Sequence, residues 1–395
     1  MSVVNWELKV FKKTTTSWES TGTVIDRYSD VQINRSLGDG KDRFSFKLYK
    51  ESIVGYQDKI EFRRKVNSTT FTDDDLILVG VVRTLTPKKD YSGTTISVSG
   101  YNFSESVMSG LIFVDSTEMT IPELFKEGIN SLHNASREFS VEWDSTNKVT
   151  TSTGSSFPVV GSRQFNKPFR DVLDKYSAAD KTKDGNYHWY VSVSNKLVWA
   201  RNYEESSNTF DDTTTVYSSL DVTKDVNDVR NFVIVKGGYD PKGRILQERY
   251  ADYASISKHG FKYYILTSEN KTGASVSEVD KQQFGVDDMK DASYPLTPYW
   301  SSSSFSSFSD YADGFRDYMR SELKSIGKTF VDMRKNGKLK VSISINPSKN
   351  TYTLGSVVYC TFADSATPDG KMRVIDVNYT STNDGVSFEQ DEGSL

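Results

Sequence analysis

The sequence is short of most things that mark an enzyme, a secreted protein or a nucleic-acid binder. One of its 395 residues, Cys360, is a cysteine. That excludes an intrachain disulfide and a multi-cysteine metal site. Cys360 is read as a small apolar residue on a strand rather than a reactive thiol. The three histidines, His133, His188 and His259, are far apart and sit in no metal-ligand spacing. No apolar run approaches the roughly 20 residues that span a bilayer. The start, Met1-Ser2-Val3-Val4-Asn5-Trp6-Glu7, has no basic region followed by an apolar stretch and does not read as a signal peptide. A soluble chain made in a cytoplasm is expected. Lys and Arg (49) are balanced by Asp and Glu (53), interspersed, for a formal charge of −4. The basic footprint of a nucleic-acid binder is therefore missing.

Fragments of catalytic motifs dissolve on inspection. Gly327-Lys328-Thr329 resembles the end of a phosphate-binding loop, but Glu322 stands where the first glycine is required, and the tripeptide follows a helix rather than a strand. Gly38-Asp39-Gly40-Lys41 reads as a hairpin turn. The acidic runs Asp73-Asp74-Asp75, Asp211-Asp212 and Asp287-Asp288 read as solvated loops before calcium or general-acid sites. His188, between Tyr187 and Trp189, reads as a packed or surface histidine. No residue is assigned a catalytic, cofactor-binding or metal role; no cofactor and no enzymatic activity are expected.

What the sequence does have is aromatics, 13% against only 36% hydrophobic residues overall. That mixture suits small β-rich domains, in which rings supply much of the buried area. Val31–Leu37 and Phe44–Leu48 alternate apolar and polar residues, as do Lys59–Arg64 and Thr94–Gly100. Leu76–Val82 is continuously apolar and predicts a strand buried on both faces, with Gly80 marking a bulge or bend. Short strands at this spacing predict a small barrel or sandwich over 1–110.

From 111 to 221 the pattern is α+β. Thr120-Ile121-Pro122-Glu123 opens a helix with Leu124, Phe125, Ile129 and Leu132 on one face. Residues 145–156 are a polar loop. A second helix starts near Pro168, with Phe169, Val172, Leu173 and Tyr176 on one side. Tyr187–Val193 and Lys196–Trp199 form a hairpin about Ser194-Asn195. Asn231–Lys236 is a further strand; Tyr239 to Ser304 is polar, aromatic and irregular. Phe308, Tyr311, Ala312, Phe315, Met319, Leu323 and Ile326 recur at helical spacing, with Gly327 placed to stop the helix. Its aromatic face is expected to pack on a sheet. The chain then returns to strands at Leu339–Ile345, Ser356–Phe362, Met372–Tyr379 and Gly385–Glu389. The strand rhythm of 59–64, 76–84 and 94–99 recurs in 356–362, 371–379 and 385–389, which suggests a duplicated β domain.

These patterns resemble a known family. Val31–Leu37, Phe44–Leu48, Leu78-Val79-Gly80-Val81-Val82 and Ile96–Tyr101 are similar to the first barrel of phage tail baseplate hub proteins, which are related to the N-terminal part of tail-tip proteins. Phe169–Tyr176 with Trp189-Tyr190-Val191 and Leu197-Val198-Trp199 resembles the family's middle segment. Leu354–Val358, Arg373–Val377 and Gly385–Phe388 resemble its second barrel, with Ser356 where an acid is usual. No hydrolase or protease domain follows, which favours a minimal hub. The resemblance implies a mainly β chain with α+β insertions and two tail-tube-like barrels, the second discontinuous. The first barrel would be 1–110 and the α+β middle module 111–221. The second barrel would start at 222–238 and finish at 328–395, with 239–327 inserted and carrying the amphipathic helix. It implies a homotrimeric ring at the distal end of a tail tube, adapting a sixfold tube to a threefold spike. Expected partners are further copies of itself, a tail-tube or distal tail protein, a central spike or tail-tip protein, and a tape-measure protein. DNA would pass transiently through a neutral or acidic lumen without specific binding. The expected location is the virion, at a tail baseplate or tip, after assembly in the host cytoplasm. The competing reading is a receptor- or carbohydrate-binding tail adhesin, motivated by Trp143, Trp189, Trp199 and Trp300.

Overall fold

The computed structural model describes residues 3–15, 17–38, 42–49, 53–91, 93–135, 141–144, 159–177, 187–200, 209–240, 242–267, 308–346, 352–363 and 369–390. The first region is all strand: β1 (Val4–Phe11), β2 (Thr23–Val24), β3 (Tyr28–Ser36), β4 (Arg43–Leu48), β5 (Lys59–Val66), β6 (Leu76–Asp90) and β7 (Gly93–Asn102). Next come α1 (Ser104–Ser109), β8 (Leu111–Thr120), α2 (Ile121–Ala135), β9 (Glu142–Trp143), β10 (Val159–Pro168), α3 (Phe169–Ser177), β11 (His188–Val191) and β12 (Lys196–Ala200). Two strands, β13 (Phe210–Asp211) and β14 (Tyr217–Asp225), lead to β15 (Phe232–Tyr239), β16 (Ile245–Ala251), α4 (Tyr253–His259), β17 (Tyr263–Thr267) and α5 (Phe308–Arg334). The chain ends in β18 (Lys338–Ile345), β19 (Val357–Thr361), β20 (Gly370–Tyr379) and β21 (Asp384–Gln390). The architecture is mainly β with helices, as expected.

Thirteen strands form one sheet, and it has two halves with the same pairing order. The first runs β1-β5-β6-β7-β4-β3, the second β13-β19-β20-β21-β18-β14. The correspondence reaches single residues. A bulge falls between Val82 and Thr84 on β6 and between Val374 and Asp376 on β20. The turns before β5 and β19 carry matching bonds: the Gln57 and Gly355 amides donate to the carbonyls of Val82 and Val374, and those residues' amides donate to Asp58 and Ser356. Gln57 and Gly355 both have positive φ. The expected repeat is thus a pair of antiparallel meanders, β5-β6-β7 and β19-β20-β21. One difference stands at the far end: β1 pairs β5 antiparallel, whereas the short β13 pairs β19 parallel. The halves are joined where β3 pairs β20.

One hydrophobic core runs under both halves. Leu78 and Val82 point into it, while Val79 and Val81 face a second core built by the middle region. β6 is therefore covered on both sides, which is why its sequence does not alternate. In that second core lie Leu124, Phe125, Ile129 and Leu132 of α2, and Phe169, Val172, Leu173 and Tyr176 of α3. The turn between β11 and β12 is where expected, with Asn195 in the left-handed region. The polar loop 145–156 lies outside the described residues, as do 39–41 of the first hairpin turn.

Four expectations need correction. Asn231–Lys236 does not open the second half. It lies in β15, which pairs β16 and β17 in a separate sheet, with Val233 and Val235 under α5. The second half takes β14 instead, so the insertion spans β15 to α5. A short alternating run says that one face is buried, not which sheet buries it. Gly327 does not stop the helix, which continues to Arg334. A Cβ there would lie 3.1–3.2 Å from Val235, Tyr250 and Val233, so the glycine lets α5 approach the sheet. Tyr239–Ser304 is not wholly irregular: β16, α4 and β17 lie within it. Gly80 marks no bulge. It makes room for the Phe44 ring, which a Cβ would meet at 2.5 Å.

Candidate functional site

Among the described residues, the titratable candidates of the sequence do not converge on one site. Cys360 is fully buried and burial pushes its thiol up to about 12, which leaves it inert at neutral pH. Desolvation, with the nearby charges of Arg373 and Lys338, pulls His188 down to about 3, so the ring is neutral. Asp75 caps the turn at Thr72 and pairs Lys65 at 3.1 Å, and Asp73 pairs Arg63 at 3.2 Å. Asp211 and Asp212 accept turn amides from Thr213 and Ala363; Asp287 and Asp288 lie outside the described residues. Among the described residues no three His, Cys, Asp or Glu side chains form a group that could hold a metal. No described helix is long and apolar enough to cross a membrane. Trp189 and Trp199, which motivated the adhesin reading, are core residues with 2% and 0% exposure. Their indole nitrogens donate to Asp174 and Ser177.

What the fold does build is one continuous polar face from β14 to β6. On β4, Phe44, Phe46 and Leu48 enter the core, so Arg43, Ser45 and Lys47 point outward. The registers carry that face across the sheet. Ser45 lies opposite Gln32 and Ser99, Asn34 opposite Asn378, and Ser36 opposite Asp376. On the far side Ser387 lies opposite Ser342, and Lys340 opposite Thr223. Hydroxyls and amides dominate, and three of the lysines are matched to acids. Lys47 pairs Asp30 at 2.7 Å, Lys338 pairs Glu389 at 2.9 Å and Lys340 pairs Asp376 at 3.6 Å. A shallow cavity of about 480 Å³ opens on this face across the joint, lined by Gln32, Ser45, Ser97 and Thr380 among others.

Beneath the face the joint is held by buried charge. Arg64 on β5 donates to both carboxylate oxygens of Asp384 on β21, at 2.6 and 2.8 Å. Burial outweighs the guanidinium and pushes that carboxyl up to about 6. Arg35 donates to Asp42 at 2.9 Å, which also accepts from Asn102 and from the Ser36 amide. Burial raises the Asp42 carboxyl, with Arg35 opposing. The Gly38 amide donates to Trp189, tying the middle region to the same corner.

Besides the short outer strands β2 and β13, the sheet has two longer stretches with a free side among the described residues. One is β14, which has β18 on one side only. The other is the C-terminal half of β6, past Val81 where β5 stops. Sequence reading found neither edge. The polar face did leave a signal, in the serines alternating along β7 and β18.

No protein-family model matches the chain, and no curated protein is similar to it in sequence. Solved structures are similar in fold. A 43 kDa tail protein of prophage MuSo2 from Shewanella oneidensis matches 99% of this chain and 100% of its own, with a TM-score of 0.60 at 10% identity. The prophage tail protein gp18 from Listeria monocytogenes matches at 0.58 and 8% identity, covering 98% and 95%. A tail protein from Neisseria meningitidis matches at 0.58 and 10%, covering 98% and 97%. The chain has the fold of these tail proteins over essentially its whole length.

Proposed function

We propose that the chain is a structural component of a phage-type tail: a hub at the distal end of the tail tube, and not an enzyme. The observation that carries this reading is the duplicated pairing order, which gives each chain two near-equivalent units. In this reading each unit is one tube-like barrel, and the second is interrupted between β14 and β18. Three chains then present six similar units, so one ring meets a sixfold tube on one side and a threefold spike or tail-tip protein on the other. The middle and inserted regions decorate the ring and contact a spike or a distal tail protein, with a tape-measure protein as a further partner. The polar face lines the channel. Phosphates bind clustered Lys and Arg strongly; here Lys47, Lys338 and Lys340 are paired to acids, Arg43 and Lys88 share the face with Asp221 and Asp225, and the remainder is mostly hydroxyl and amide, so DNA passes without being held. The protein would reside in the virion tail. Two-dimensional class averages of the purified protein should show a threefold ring with six lobes and a central hole. Compact particles without a hole would refute the hub. A lumen carrying a clear excess of unpaired Lys and Arg would refute the conduit.

A further inference from the structure

We propose that the ring closes through one strand pair, in which β14 of one copy adds antiparallel to residues Thr84–Lys89 of β6 in the next copy. This rests on the ring reading above. Within the chain, β3 of the first half meets β20 of the second, with Ser36 opposite Asp376, Asn34 opposite Asn378 and Ile33 opposite Tyr379. That stretch of β20 is free to do so because β19 covers only Gly370–Arg373. The ladder counterpart of β3 is β14, a nine-residue edge with no second neighbour among the described residues. The counterpart of the receiving stretch is Thr84 onward on β6, past the same bulge. Each chain therefore holds one finished joint and the two unjoined sides of another.

Carrying the internal register across sets Thr84 opposite Asp225, Thr86 opposite Thr223 and Lys88 opposite Asp221. Burial supports this assignment. Ile33 is fully buried at the finished joint, while Val222, at the matching position on β14, is 41% exposed. Val377 is buried, while its counterpart Leu85 is only half-buried. Lys88 and Asp221 place opposite charges face to face, a favourable cross-strand pair. The two edges are different surfaces, so the contact is head-to-tail and generates a ring once the rotation returns to its start. A long edge left open invites indiscriminate pairing; Pro87, Lys88 and Lys89 are the residues that blunt it until the right strand arrives.

The test is a cysteine pair in the full chain, Thr86→Cys with Thr223→Cys, both exposed positions. Directly opposed strand residues lie about 4.5–5.5 Å apart at Cα, within the roughly 4.4–6.8 Å that a disulfide needs. Mild oxidation should convert most of the double variant to a covalent trimer on denaturing, non-reducing gels. Each single variant should give none, and neither should the shifted pair Thr86→Cys with Lys224→Cys, whose side chains leave on opposite faces. A native trimer that never cross-links overturns the strand pairing and leaves the ring reading standing. A chain that stays monomeric by native mass at every concentration overturns both. Cross-linked chains of unlimited length would support the pair and overturn closure.

Discussion

The two halves of the large sheet share a ladder but not a set of side chains. In the first, the Phe44 ring fills the space above Gly80 and Gly100; a Cβ on Gly100 would also run into the Val81 carbonyl. At the same ladder positions the second half has Val341, Met372 and Phe388, all buried. The ring has moved from one strand to its neighbour, and the volume freed by the glycines is refilled from elsewhere. What repeats is pairing order, bulge position and turn geometry. Side chains are free to change as long as the packed volume is kept. The halves also differ in their outer edges: that of the first is covered within the chain, and that of the second is left open.

The largest expected effect lies where the halves are pinned together. Asp384→Ala leaves Arg64 charged and buried, and should cost about 3–5 kcal/mol, read as an early unfolding transition of the whole sheet in denaturant. Phe315→Ala should cost a similar amount, about 3–5 kcal/mol. Its core is separate from that of the sheet, so hydrogen exchange should rise in β15, β16 and α5 while β3–β7 stay protected. If the whole chain loosens together, the insertion is not an independent cooperative unit. A matched pair tests the edges directly. Ile33→Ala should cost roughly 2–5 kcal/mol, whereas Val222→Ala, at the equivalent position, should change the isolated chain's stability by no more than about 0.5 kcal/mol.

Acid supplies a smaller test. Asp384 is pushed up to about 6 in the folded chain and titrates near 3.9 when unfolded. The folded state therefore binds the extra proton between those values. The cost of keeping this carboxylate buried is fully present above pH 6 and fades as pH falls towards 4. Relative to Asp384→Asn, the wild type should gain about 2 kcal/mol between pH 7 and 4.5, measured as paired denaturant midpoints. A gap independent of pH would show that the carboxyl is not held in this way.

Much of the fold was legible because burial writes periodicity into sequence. α2, α3 and the hairpin of β11 and β12 carry their core residues at the expected spacing. β14 was not legible as a sheet strand, because an edge with exposed faces has no reason to alternate: of Tyr217–Asp225, only Tyr217 and Leu220 are even partly covered. Gly327 was misread because a helix-stopping glycine and a close-packing glycine look alike until the opposing sheet is known. The repeat survived only as rhythm, since Gly100 and Phe388 share a ladder position but nothing chemical. Of the candidate site, the polar face was legible in the alternating serines of β7 and β18, whereas the free edges were not, because edge complementarity is a property of register rather than of residue type.

The central claim is that β3 and β14 are the same strand of one unit, differing only in whether the neighbour belongs to the same chain. Amide hydrogen exchange in dilute and in assembled protein tests it most directly. The account predicts that β3 is protected in both, while the outward amides of β14 and of Thr84–Lys89 exchange quickly in the free chain and slow together on assembly. Assembly that leaves β14 exchanging at its free rate would contradict it.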